Sequence, residues 1–153
     1  MKKLIAYFSW SGNTEKLVSS INKELNIDTI RIERKIPYSE NYEECAYKEA
    51  KEEVVKKIHP LIKELGVNPF DYGEILLFFP IWWYTFPMPI GTFLETLKGY
   101  DGKIILFANS YTNDPQYMVN SLKDAKEIDS SLHFAEGLFN RPVSEHINYI
   151  KEL

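Results

Sequence analysis

Apolar residues in this chain alternate between two periodicities from end to end. Short apolar runs predict strands at Lys3–Phe8, Asp28–Glu33, Glu74–Phe79, Lys103–Ala108 and Leu132–Phe139. Between them, apolar spacings of three and four predict helices over Asn13–Leu25, Glu43–Leu65, Met88–Leu97, Pro115–Ile128 and Val143–Glu152. In the first helix Leu17, Val18, Ile21 and Leu25 share a face; in the third, Ile90, Phe93, Leu94 and Leu97 do. Asp114-Pro115 is a cap followed by proline in the first helical turn, and Pro60 predicts a kink or break in the second helix.

The strands are not equivalent, and the difference predicts their order. Leu4-Ile5-Ala6-Tyr7-Phe8, Ile75-Leu76-Leu77-Phe78-Phe79 and Ile104-Ile105-Leu106-Phe107-Ala108 are almost continuously apolar, as strands buried on both faces must be. The second strand (Thr29, Ile30, Arg31, Ile32, Glu33) and the fifth (around Leu132, His133, Phe134) alternate, so each has one wet face and belongs near an edge. Alternating strands and helices predict an α/β fold, a doubly wound five-stranded parallel sheet of order 2-1-3-4-5 with helices on both faces. In that order the topology switches between strands one and three, and ligands bind at such points, beyond the carboxyl ends of the strands.

Length and composition narrow the classes. At 153 residues the chain predicts one domain, burying roughly two-thirds of its unfolded surface. Its 22 acidic against 18 basic side chains give a net charge of −4, which argues against nucleic-acid binding and predicts a cytoplasmic protein. The only cysteine, Cys45, reads as a half-buried helix residue. No Cys/His metal spacing occurs, so no metal site is predicted. The apolar stretch Ile75–Ile90 is broken by Pro80, Pro87 and Pro89 and is too short for membrane insertion.

Three loops meet at the predicted switch point. The first, Ser9-Trp10-Ser11-Gly12-Asn13-Thr14, runs from a strand into a helix N-terminus. Free N–H groups, hydroxyls and one amide there suit a phosphate, and Gly12 permits positive φ. The loop carries no Arg or Lys, which suits a bound cofactor better than a phosphate being transferred. An ordinary capped strand-to-helix turn has similar composition. The second, Pro80-Ile81-Trp82-Trp83-Tyr84-Thr85-Phe86-Pro87, supplies a flat aromatic wall fit for a flavin ring; core packing or a subunit interface are the alternatives. The third, Asn109-Ser110-Tyr111-Thr112-Asn113, offers Tyr111 and backbone amides to the other side, or simply leads into a capped helix.

With these motifs in place the chain resembles the flavodoxin-like family of FMN-binding proteins. The first loop matches the hydroxyl-x-hydroxyl-Gly-x-Thr phosphate pattern. Pro80-Ile81-Trp82-Trp83, with Phe86-Pro87-Met88-Pro89 and Thr92-Phe93-Leu94, is similar to the single-domain branch whose second loop begins Pro-x-Trp-Trp. So is Pro37-Tyr38 to Tyr42-Glu43-Glu44, which leads into a charged helix. The resemblance implies phosphate contacts from Ser9, Ser11, Gly12, Asn13 and Thr14, with Trp10 in the same loop. It implies ring contacts from Pro80, Ile81, Trp82, Trp83 and Tyr84, and places Asn109, Ser110 and Tyr111 on the third side. The Gly-rich third loop of related proteins is replaced here by bulkier residues, which limits close backbone approach.

The resemblance implies an electron carrier using non-covalent FMN and docking to redox partner proteins. An FMN-dependent NAD(P)H:quinone-type reductase, with a small-molecule acceptor such as a quinone, is the alternative. A flavin-free partner-binding module is a further one. No residue stands out as a general acid or base: His59, His133 and His146 read as surface histidines remote from the loops. The oligomeric state is open.

Overall fold

The computed structural model describes residues 1–153. Strands Lys3–Tyr7 (β1), Asp28–Arg31 (β2), Glu74–Pro80 (β3), Lys103–Asn109 (β4) and His133–Phe139 (β5) form one parallel sheet. The order is β2-β1-β3-β4-β5, as expected from the sequence, with the alternating strands β2 and β5 at the two edges. Pleating sends Leu4, Ala6, Ile75, Leu77, Phe79, Ile104 and Leu106 into one core, and Ile5, Leu76, Phe78, Ile105 and Phe107 into another.

Helices Asn13–Leu25 (α1), Lys51–Lys56 (α2), Met88–Glu95 (α3), Gln116–Ile128 (α4) and Val143–Lys151 (α5) complete the fold. Val18 and Ile21 of α1 and Ile147 and Ile150 of α5 seal the second core; Ile90, Phe93 and Leu94 of α3 with Met118 and Ala125 of α4 help fill the first. No helix is long and apolar enough to cross a membrane.

Two expectations fail here, each for a physical reason. The helix predicted over Glu43–Leu65 is a π-helical run, Glu44–Ala50, continuing as the short α2. Lys57 ends it in a left-handed conformation (φ 53), three residues before Pro60, which lacks an N–H and disfavours helix in its predecessor. The chain then runs antiparallel to the segment that follows β2, with Lys35 N–H donating to the Leu61 carbonyl and Lys63 N–H to that of Glu33, at 2.8 and 2.9 Å.

His146 is the second exception. It is 1 % exposed, packed against the stacked rings of Phe78 and Phe107 on the sheet face beneath α5. Its Nδ1 bonds the Pro142 carbonyl at 3.0 Å and its Nε2 has no partner, so burial depresses its pKa and keeps it neutral. His59 is half-buried against α3, paired with Glu95 at 2.5 Å, whereas His133 is exposed on edge strand β5.

Candidate functional site

The carboxyl ends of β1, β3 and β4 carry the three loops singled out from the sequence. In the first, Gly12 adopts φ 99 and caps α1 with no side-chain hydrogen bond of its own. The backbone N–H groups of Ser11, Gly12, Asn13 and Thr14 make no hydrogen bond within the chain, while the Glu15 N–H donates to Ser9 Oγ at 3.3 Å. The result is an open cradle of donors at the positive end of a 13-residue helix. Arg31, at the end of β2, fixes its floor by donating to the Ser9 carbonyl at 3.0 Å and pairing with Glu15.

Side chains from this cradle reach the third loop. Thr14 is buried and its Oγ1 donates to Asn109 Oδ1 at 2.9 Å, so its hydroxyl is turned toward β4 while its backbone N–H stays in the cradle. Asn13 Nδ2 lies 3.4 Å from the Tyr111 hydroxyl. Trp10 turns away from the cradle, donating from its indole N–H to the Ser39 carbonyl at 3.1 Å.

The second loop closes a tight turn. Trp82 and Thr85 exchange backbone hydrogen bonds of 2.8 and 3.3 Å around Trp83 (φ 50) and Tyr84 (φ 72). Two positive φ values in a row define a turn of the I′ type, normally built with Asn or Gly. For bulky L-residues each costs about 1–2 kcal/mol, so the turn persists only because its surroundings hold it.

Between this turn and the π-helical run lies a cavity of about 270 Å³. Ile81, Trp82, Trp83 and Tyr84 line one side, and Cys45, Ala46, Tyr47 and Ala50 of the π-helical run line another. Trp10, Tyr42, Ser110, Thr112 and Tyr117 complete it. A π-helical run is uncommon and often marks a functional site; here it supplies the small residues Cys45, Ala46 and Ala50 and the ring of Tyr47. No His, Asp, Glu, Lys or Arg lines the cavity. Its one thiol, Cys45, is pushed up to about 11, mainly by burial.

The structure thus brings together most of the predicted residues, with different roles for some. Trp82 packs edge-to-face against both Phe8 and Tyr38, each 5.2 Å away, in a three-ring cluster, and offers only part of its ring to the cavity. Tyr111 is 96 % exposed and, like Pro80 and Asn109, does not line it. Ser110 does, but its N–H is taken by Asn140 Oδ1 at 2.7 Å. Asn140, left-handed at φ 55 after β5, also donates to the Thr112 carbonyl and so shapes the third loop. Tyr47, Tyr117, Arg31 and Asn140 went unnoticed in the sequence. Only Asn140, in the turn-like Asn140-Arg141-Pro142, carried a local signal.

Behind Trp82 sits a buried charged network. The Tyr38 hydroxyl donates to Glu53, and Arg34 pairs with Glu53 at 3.2 Å and with Glu49 at 3.3 Å. The Arg34 guanidinium also lies 4.3 Å over the Tyr38 ring. Burial raises the pKa of Glu53 despite Arg34; burial and the Glu53 bond raise that of Tyr38. The network anchors the Tyr38 segment, and with it the back of Trp82, to α2.

Known proteins place this architecture. The flavodoxin family profile, described as Flavodoxin, matches residues 2–149, so the chain belongs to that family. Among solved structures, the chain is similar to a flavoprotein from Lactobacillus acidophilus NCFM crystallised with FMN: identity is 23 %, the TM-score 0.81, and 97 % of this chain and 98 % of that one are covered. The apo-form of a flavoprotein from the same organism is 26 % identical, with a TM-score of 0.67 and 90 % of each chain covered. A Bacteroides eggerthii DSM 20697 protein is 27 % identical, with a TM-score of 0.79 over 99 % of this chain and 96 % of that one. No curated protein sequence matches the chain.

Proposed function

We propose that this chain binds FMN non-covalently and serves as an electron carrier between partner proteins. The carrying observation is adjacency: an open cradle of backbone donors at α1 shares the loops of an aromatic cavity, joined through Trp10, Thr14–Asn109 and Asn13–Tyr111. The cradle fits a phosphate, which needs several N–H donors and gains from the helix dipole. The cavity fits a flat aromatic ring, with Trp83 and Tyr84 on one side and Tyr47 and Ala46 on another. Membership of the flavodoxin family and likeness to a flavoprotein crystallised with FMN support this assignment.

FMN supplies the redox chemistry; the chain binds, orients and shields it. Trp82, Ile81 and Ala50 keep water from the inner side of the ring site. The small size of the chain and its net charge of −4, suited to docking on a basic partner, favour a carrier over a reductase. Tyr84 on the cavity wall and Tyr111 on the third loop, 64 % and 96 % exposed, are surfaces a partner protein can approach.

Titration of FMN and riboflavin, followed by flavin fluorescence, tests the binding. Micromolar or tighter quenching is expected for FMN, and Ser11→Ala with Gly12→Ala is expected to weaken FMN by at least tenfold while leaving riboflavin within about twofold. Unquenched FMN at micromolar protein, or equal losses for both ligands, contradicts the proposal. The role is tested by NADH and NADPH oxidation with a quinone and no partner protein: slow turnover is expected of a carrier, and rapid turnover establishes a reductase.

A further inference from the structure

The turn that walls the proposed ring site is held by groups far from it in sequence. Asn120 Nδ2 donates to the Tyr84 carbonyl at 3.0 Å, and Thr85 Oγ1 donates to Asp124 Oδ2 at 2.6 Å. Asn120 and Asp124 are one helical turn apart on α4, so both reach the turn from the same helix face. The Asn120 amide is itself oriented: its Oδ1 accepts from Gln116 Nε2 at 3.0 Å, which leaves Nδ2 for Tyr84. From a second element, the Ala46 carbonyl accepts the Trp83 indole N–H at 2.7 Å.

We infer that Asn120 and Asp124 are positioning residues that set flavin-ring affinity by holding Trp83 and Tyr84 in their left-handed turn, without touching the ring. The inference rests on the FMN reading. Neither residue lines the ring cavity, and Asp124 faces a separate cavity behind the turn, beside Phe86 and Met88. Bulky residues at φ 50 and 72 relax toward negative φ unless restrained, and that rotation swings the Tyr84 carbonyl and both rings away from the cavity. With the turn already fixed in the free chain, the ligand does not have to order it.

The test titrates FMN and riboflavin into the wild-type chain and into Asn120→Ala/Asp124→Ala. About tenfold weaker binding is expected, equal for the two flavins because the effect lies at the ring. Asp124→Asn, which still offers an oxygen to Thr85, is expected to bind within about twofold of wild type. In a Tyr84→Gly background one of the two strained residues is relieved and Trp83 alone still needs restraint, so the same double alanine change should cost about threefold rather than tenfold. Thermal unfolding of each variant checks the fold; Asn120→Ala places a stronger helix former on α4 and serves alone if the double variant unfolds. Undiminished affinity in the alanine variants, or an equal loss in both backgrounds, overturns the inference while the FMN reading stands. A wild-type chain that binds neither flavin removes both.

Discussion

The Ser9–Thr14 loop reverses direction at Gly12 (φ 99), where no side chain opposes a left-handed backbone. The Trp82–Thr85 turn reverses at Trp83 and Tyr84, where two large side chains do. The first loop spends no strain and leaves its N–H groups free for a ligand. The second is strained, and it draws its support from Ala46, Asn120 and Asp124, separated from their partners by 37, 36 and 39 residues. A phosphate cradle needs open donors, which a glycine turn supplies locally. A ring wall needs rigid aromatics at one place, which requires restraint from other elements.

The largest effect that separates the two regions is expected from Trp82→Ala. It removes the third ring of the Phe8–Tyr38–Trp82 cluster, lowering stability by about 3 kcal/mol and flavin affinity by at least a hundredfold for FMN and riboflavin alike. Chemical denaturation and fluorescence titration read these two losses. A selective loss of FMN binding would assign Trp82 to the phosphate side.

Next come paired substitutions with opposite expected signs. Gly12→Ala meets no steric neighbour, so its cost is the backbone alone: about 1 kcal/mol of stability. Tyr84→Gly relieves strain and raises stability by up to about 1 kcal/mol, although it weakens ring binding. Thermal unfolding of the two variants reads the contrast directly. Arg31→Ala, which frees the Ser9 carbonyl, is expected to weaken FMN about threefold and leave riboflavin unchanged in the same titration.

The smallest expected effect concerns neither loop and so controls for global loosening. His146 is held neutral in the folded chain, with its pKa below the usual 6.5. The unfolded chain therefore takes up a proton first as pH falls through 6.5. Stability is full above that pH, declines below it, and levels off beneath the folded value. Denaturation midpoints across this range should slope for wild type and be flatter for His146→Phe. Flavin loss that tracks this slope reports unfolding rather than release from either loop.

The same contrast explains what the sequence made legible. Continuous apolar runs against alternating ones identified β1, β3 and β4 as inner strands and β2 and β5 as outer ones, because each residue's burial follows from its own strand. The cradle was legible because Gly12 and Ser9 act through local backbone, whereas the Thr14 hydroxyl turns to Asn109 on β4. The Trp83–Tyr84 turn was not, since positive φ at two aromatics contradicts their local preference and is imposed by tertiary contacts. The same holds for the Glu44–Ala50 π-helical run, whose charged pattern reads as ordinary helix. His146 reads as a surface histidine because a histidine four residues after the proline that precedes α5 gives no sign that Phe78 and Phe107 will cover it.

The most direct measurement is an amide and indole NMR titration of the apo chain with FMN and then with riboflavin. Gly12, Asn13 and Thr14 amides are expected to shift with FMN but not riboflavin, while the Trp83 indole shifts with both. If FMN moves the Trp83 indole yet leaves the three amides in place, no phosphate sits at the head of α1 and the account is contradicted.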